Sequence, residues 1–393
     1  MTSLQYIVCL FVLFIVCKKN ELEQKPEGNN IEILDTANQM IDANIVDPTD
    51  TIEEPEPVIV KTFLYASLDN DNAIAVYTVD TTDGTLALVE KASTVGRVGS
   101  LAVSQSKKYL YAAIRSTGEV SSFAIDSLSG KLRNIQTTQV VDNPVYIKPD
   151  RTNKYLLTVY YNAGKMAIYP ITGDSIIGST ATVIQDTGVN PHCIQTSSDD
   201  QFLYVPARGS DFVLQFQFNP ASGTVTAMNP DKVITETGAG PRHLTFHPSK
   251  SIMYVVNENN CAVSAYNMDA NGLLTNFQNI STLPASFTDE NTCADIHITS
   301  DGKYLYASNR GHNSIAAYSV SSSNGELTLI NQYLTEPIPR EFGLSPNGDY
   351  LYAGGEGSGN IAVYSINTDG SLSKLATYTA GTKVTWVLVT RVK

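Results

Sequence analysis

Tryptophan occurs once in this 393-residue chain and cysteine five times, with no CxxC pair. An odd count without paired spacing excludes a disulfide framework and a zinc-knuckle scaffold. Cys9 and Cys17 lie in an apolar leader, which leaves Cys193, Cys261 and Cys293 for the body, where they read as buried thiols. Basic residues are also few: 26 Lys and Arg stand against 39 Asp and Glu, a formal net charge of −13. Nucleic-acid affinity needs a basic surface, so this balance excludes a nucleic-acid partner. Anionic lipid headgroups would repel the chain for the same reason. No triad of ligands at zinc spacing is present, so neither a metal nor another cofactor is expected. What is abundant is core-forming material: 42% of residues are hydrophobic, with 21 Tyr, 26 Gly and 17 Pro. That mixture predicts an all-β, turn-rich fold.

The N-terminus reads differently from the rest. Leu4 to Val16 is a nearly unbroken apolar run of the kind found in export signals, though no Lys or Arg precedes it. Cys17 follows directly, where a lipoprotein is acylated. The stretch 18–57 carries 11 acidic residues against 3 Lys and ends in Glu53-Glu54-Pro55-Glu56-Pro57. It reads as a disordered tether. The expected organisation is a leader over 1–17, an acidic linker over 18–57 and a folded body over 58–393. The expected location is exported, lipid-anchored through Cys17 or periplasmic, with the cytoplasm as the alternative.

The body repeats. A strand ending at an anchor residue recurs at Tyr65, Tyr111, Leu157, Tyr204, Tyr254, Tyr306 and Tyr352, at spacings of 46, 46, 47, 50, 52 and 46. A second strand follows each anchor and ends at Tyr77, Phe123, Tyr169, Phe216, Tyr266, Tyr318 and Tyr364. Short apolar strands at this period predict a seven-bladed β-propeller of four-stranded blades. The first repeat has no strand ahead of its anchor. The segment Thr385-Trp386-Val387-Leu388-Val389 supplies one, so the C-terminus is expected to close the first blade as its inner strand.

The hairpin register predicts which residues share one face. Each inner strand turns about four residues before the anchor, so positions twelve before and four after it should lie at the same end. The first set is Gly99, Val145, His192, Arg242, Ala294 and Arg340; the second is Asp69, Arg115, Tyr161, Arg208, Glu258, Arg310 and Glu356. One residue past the first set come Ser100, Tyr146, Cys193, His243, Asp295 and Glu341. Five of the chain's nine arginines fall on these positions. Their planar forks pair bidentately with carboxylate or phosphate, so an acidic protein gathering them at one mouth is built to hold an anion. Glu258 and His192 are the candidates for proton transfer there. A purely structural ion-pair network is the competing reading. His247, before Pro248, reads as structural, His312 as a solvated loop residue, and His297 as either.

A longer phrase carries a resemblance. Gly240-Pro241-Arg242-His243-Leu244-Thr245-Phe246-His247-Pro248, followed by Tyr254-Val255-Val256-Asn257-Glu258, resembles the signature of the seven-bladed propeller lactonases. Tyr161-Asn162-Ala163-Gly164, Pro191-His192, Ala294-Asp295-Ile296-His297-Ile298, Asn309-Arg310 and Pro339-Arg340 match in the family's order. Within the family the likeness is to the bacterial propeller-type 6-phosphogluconolactonases, with the 3-carboxy-cis,cis-muconate lactonizing enzymes as relatives. The resemblance implies a catalytic set of His192, Arg242, Glu258 and Arg310, and a lactone of an anionic sugar acid as substrate. His243, Asp295, Arg340, Tyr161 and Arg208 are expected to line the substrate, with Arg340 on a phosphate. Arg242→Ala is expected to remove turnover and spare the fold. The implied protein is a monomeric hydrolase whose partner is a small anionic lactone. The alternatives are a muconate-type cyclase and an exported, non-catalytic propeller that binds an anionic ligand or a protein. Two features depart from the family: Glu341 replaces the glycine after Pro339-Arg340, and the leader is foreign to an enzyme of intracellular sugar phosphates.

Overall fold

The anchor phrases fold as the second strands of seven sheets, among them Lys61–Leu68, Tyr109–Ile114 and Tyr304–Arg310. The phrases that follow fold as third strands, such as Ala73–Val79 and Ser314–Val320. Both sets are buried along nearly their whole length, because neighbouring blades cover both faces of each sheet. The outermost strands, such as Leu327–Leu334, are mostly exposed. The computed structural model describes residues 60–393. The leader, Cys17 and the linker expected over 18–57 lie outside the described residues.

The sheets form an all-β, seven-bladed propeller. Its inner strands are Val384–Val392, Val98–Val103, Tyr146–Pro149, Gln195–Thr196, Pro241–Phe246, Thr292–Ile298 and Pro339–Leu344. The closure expected from the sequence is present: Val384–Val392 pairs antiparallel with Lys61–Leu68 as the inner strand of the first blade. One blade departs from the four-stranded plan. In the third, the outer strand is broken into Ile176–Ile177 and Val183–Asp186, which both pair with Lys165–Thr172. Gly178 and the polar residues after it interrupt the run between them.

The register also differs from the expectation. Near the turn, anchor positions pair with residues nine before them, as Tyr204 does with Gln195 and Tyr111 with Ala102. Beyond that, a β-bulge shifts the pairing by a further residue. It recurs between Pro241 and His243, Val98 and Leu101, Cys293 and Ile296, and Pro339 and Glu341. Positions twelve before and four after the anchor are therefore not opposite: Arg310 pairs with Thr292. They remain at the same end of the blade. The extra residue of a bulge is released from the ladder and re-aimed, and here that residue is Arg242 or Arg340, or one of the pairs Gly99–Ser100 and Ala294–Asp295.

The anchor tyrosines join the blades. Each donates its buried hydroxyl to a carbonyl in the outer turn of the next blade: Tyr65 to Gly130, Tyr111 to Asp174, Tyr204 to Gly272, Tyr254 to Gly325, Tyr306 to Gly370 and Tyr352 to Gly84. These bonds measure 2.6–3.2 Å. The third blade has Leu157 at the anchor, and Tyr155 takes over by donating to Ala221 at 3.2 Å. Gly130 shows why the turn needs glycine: its φ is +76°, and an added Cβ would lie inside the Phe63 ring. Tyr254→Phe leaves the Gly325 carbonyl without its buried donor, and is expected to lower unfolding free energy by about 1–3 kcal/mol. Tyr77 is as buried, but its hydroxyl has no partner among the described residues. Tyr77→Phe is therefore expected to be near neutral. Urea midpoints of the two variants check the contrast.

Candidate functional site

Arg242 leaves its inner strand at the bulge and runs fully buried towards the propeller axis. Its Nε lies 3.1 Å from Glu258 Oε2. Arg208 Nε and Arg310 Nη2 approach Glu258 Oε1 at 3.0 and 3.1 Å. One carboxylate thus holds three guanidinium groups from three blades, and the cluster keeps a positive surplus. Each arginine is anchored elsewhere as well. Arg208 donates to Tyr161 Oη and Asn259 Oδ1, both at 3.0 Å, and Arg310 donates to the Cys293 carbonyl at 2.9 Å. Arg242 Nη1 donates to the Ala294 carbonyl.

Burial pushes the Glu258 carboxyl up, but the charges of Arg242, Arg310 and Arg208 overcome it and hold it below the usual range. His192 is held well below 6.5, first by burial and then by the charge of Arg242, with Arg340 adding to it. It stays neutral, with Tyr161 edge-on at 5.7 Å and His243 at 5.1 Å between ring centroids. Its Nδ1 has no partner among the described residues. His192, Arg242, Glu258 and Arg310 therefore come together at one mouth, with Tyr161 and Arg208 beside them.

His243 and Asp295 sit one layer deeper. Asp295 accepts from His243 Nδ1 and the Ile296 amide at 2.9 Å on Oδ1, and from His297 Nε2 at 2.9 Å and the Phe342 amide at 3.2 Å on Oδ2. Burial opposes its ionisation, but His297 and the His243 hydrogen bond hold it well below the ordinary value. His243 is lowered to about 3, chiefly by burial and then by Arg242, so it is a neutral donor. Glu341 is pushed well up by burial and by the Asp295 charge. That shift favours its neutral form, which would cancel less of the neighbouring arginine's charge than an ionised acid at that position. His243, Asp295 and Glu341 offer ligand atoms within 4.8 Å of one another, as a metal centre would. The four donors already fill the Asp295 lone pairs, so this set does not fit a cation.

Arg340 lies beside the cluster, where burial and then the charges of Arg242 and Arg310 bring it down to about 10; it is near Glu356, at 3.7 Å, which also faces Lys383 at 3.8 Å. His247 is buried and accepts from the Ser249 amide at 3.2 Å, as a structural residue would. His312 is not a solvated loop residue: it is half-buried, edge-on to Phe287 at 4.8 Å, and bonded to Ser314 Oγ at 2.7 Å. The burial of Arg242 argues against the expectation that Arg242→Ala spares the fold: its loss opens a void and leaves Glu258 Oε2 and the Ala294 carbonyl without that donor, while Arg208 and Arg310 stay on Oε1.

The sequence reading also passed over a depression of about 300 Å³ on the same face, lined by Arg97, Arg115, Asn143, Val145, Tyr161 and Asn162. Arg115 lies across Gly99, where any side chain would collide with it. Arg97 pairs with buried Asp69 at 3.1 Å. Arg115 was visible in the register, but Arg97 lies outside the positions the register samples.

A family model for lactonases with a seven-bladed β-propeller matches residues 58–149 and 100–389. A protein of Enterobacter sp. named 6-phosphogluconolactonase is 38% identical over 154 residues, which are 39% of this chain and 46% of that protein. The chain spans about half the length of the curated relatives it matches. Among solved structures, a Lactobacillus plantarum protein is 25% identical with a TM-score of 0.77, covering 84% of this chain and 100% of the other. The periplasmic gluconolactonase of Pseudomonas aeruginosa is 23% identical with a TM-score of 0.78, covering 85% and 99%, and shares the fold.

Glu258→Gln removes the one negative charge among three guanidinium groups. It is expected to lower stability at neutral pH by roughly 3–5 kcal/mol. The folded-state carboxyl is depressed. Its contribution is therefore present above the unfolded value and lost as pH falls through the folded one. Melting temperatures measured from pH 7 down to pH 3 are expected to fall more steeply in the wild type than in Glu258→Gln.

Proposed function

The chain belongs to the seven-bladed β-propeller lactonases, and from that premise we propose that it hydrolyses the lactone of an anionic sugar acid, with 6-phosphogluconolactone as the candidate substrate. The observation that carries the reading is the Arg208–Arg242–Arg310 cluster around Glu258, beside neutral His192. The name of the curated relatives supports the choice of substrate.

Hydrolysis of a lactone needs a water oxygen to attack the ring carbonyl, a place for the resulting oxyanion, and a proton for the departing ring oxygen. Arg242 and Arg310 are fixed in place by Glu258 and backbone carbonyls before substrate arrives. Preorganised charge of this kind lowers the barrier by about 3–4 kcal/mol per donor. Glu258 is committed to its ion pairs and is a poor base. His192, neutral and with a buried Nδ1 that has no partner among the described residues, is the candidate to take the proton from water once substrate and water enter, and to return it to the ring oxygen as the carbon–oxygen bond breaks. The product acid is a carboxylate that the same arginines hold. The substrate's phosphate falls to Arg340, whose contact with Glu356 is long, and to Arg115, which makes no ion pair among the described residues.

The apolar leader adds a second substrate to the test. An exported enzyme would meet unphosphorylated sugar lactones, so glucono-δ-lactone is the comparison. Acid release from freshly made 6-phosphoglucono-δ-lactone by the full chain is expected to exceed spontaneous hydrolysis greatly, with glucono-δ-lactone slower through KM. No acceleration with either lactone overturns the reading. His192→Gln is expected to reduce kcat/KM by on the order of 10²–10⁴ with an unchanged melting temperature. The base must be unprotonated, and its folded value lies well below 6.5. The acid limb of the kcat/KM profile is therefore expected well below pH 6.5. A limb at pH 6.5 or above would assign the base elsewhere.

A further inference from the structure

The central channel holds a second cavity, of about 280 Å³, between the His243–Asp295–Glu341 layer and the hairpin-turn face. All seven inner strands contribute to its wall. This is close to the roughly 300 Å³ at which small-molecule pockets begin. Leu101, Ile296, Leu388 and the single tryptophan, Trp386, give it an apolar lining, and Lys107 and Lys148 add two cations to the wall.

Neither lysine makes an ion pair among the described residues. Lys148 donates to Gln195 Oε1 at 2.6 Å, which leaves two of its three ammonium hydrogens for something else. Neither acid in the wall pairs with them: Asp295 is engaged by four other donors, and burial and the Asp295 charge push the Glu341 carboxyl up. Burial brings Lys148 down to about 8, against an opposing effect of Cys193 that is larger than the further lowering by either Arg151 or Lys107. Uncompensated charge in a sheltered wall is expensive unless an anion meets it.

We propose that this cavity binds a small monocarboxylate with an apolar body, its carboxylate on Lys148 and Lys107 and its hydrocarbon against Trp386 and Leu388. The site is separate from the arginine mouth, from which the Tyr146–His243–Asp295–Glu341 layer divides it. It does not depend on the chain being a lactonase, and loss of lactone hydrolysis would leave it standing.

Because Trp386 is the only tryptophan, its emission reports on this cavity alone. The full chain is titrated with octanoate, with 1-octanol as the uncharged analogue and with inorganic phosphate. A saturable change of emission is expected with octanoate, with octanol at least tenfold weaker and phosphate unable to displace octanoate at equal concentration. Lys148→Met is expected to weaken octanoate by roughly ten- to a hundredfold, the worth of a hydrogen bond to a charged group, and to leave octanol unchanged. Lys107→Met, on an exposed hairpin turn, is the second variant and is expected to weaken octanoate several-fold. The proposal is overturned by an absence of saturable change, by equal affinity for octanol, by octanoate affinity unaltered in both variants, or by displacement with phosphate, which would mark a general anion site.

Discussion

Everything at the axis depends on a hydrogen bond made near the rim. A buried tyrosine hydroxyl in one blade donates to the outer turn of the next, and six of the seven joints are made by the anchor residue itself. The bond is directional, so it sets the rotation between sheets as well as holding them together. Non-directional apolar packing between blades could tolerate a range of angles. The arginine cluster could not, because Arg208, Arg242 and Arg310 come from three blades and meet on one carboxylate within 3.0–3.1 Å. The last joint, from Tyr352 to Gly84, passes across the chain closure, where the C-terminal strand completes the first blade.

The bulge in the inner strands is the second constraint. A strand that alternates strictly sends successive side chains to opposite faces, so adjacent residues could not serve the same channel. The extra residue relaxes that rule. Arg242 then reaches Glu258 at the mouth while its neighbour His243 reaches Asp295 in the next layer. The same step separates Arg340 from Glu341. Two chemistries are thereby stacked along one axis: fixed positive charge outside, and a neutral or fully hydrogen-bonded layer beneath it.

The repeat made most of this fold legible. Spacing gave the blade count, and the missing strand of the first repeat gave the closure. These features were readable because each blade repeats one pattern, so seven weak signals add. Features peculiar to one blade were not readable: the broken outer strand after Gly178, and the packing of His312 on Phe287. The site divides in the same way. Register placed Arg242, Arg310, Glu258 and His192 on one face, even though the pairing offset was wrong by the bulge. It could not show that Glu258 is consumed by three ion pairs, because those partners lie 16 to 52 residues away and meet only when the blades are turned correctly. Nor could it show that Glu341 is neutral, since that follows from burial beside Asp295.

The layer between the two cavities explains how opposite demands coexist in one channel. The mouth must keep its arginines charged to meet an anion, although Arg242 is fully buried. Beneath them, an ionised Glu341 would draw Arg242 inward, since its Oε1 is only 3.5 Å from Nη1. Protonation of Glu341 weakens that pull and leaves Glu258 as the dominant partner. Asp295 retains its charge only because four donors solvate it in place of water. Glu341 must therefore be the neutral member, because two ionised carboxylates in one dry layer would each raise the other. The acid that replaces a glycine after Pro339-Arg340 is thus accommodated by Asp295 and its two histidines. Its effect falls on the inner layer and the cavity beneath, whereas the arginine mouth keeps its surplus of positive charge.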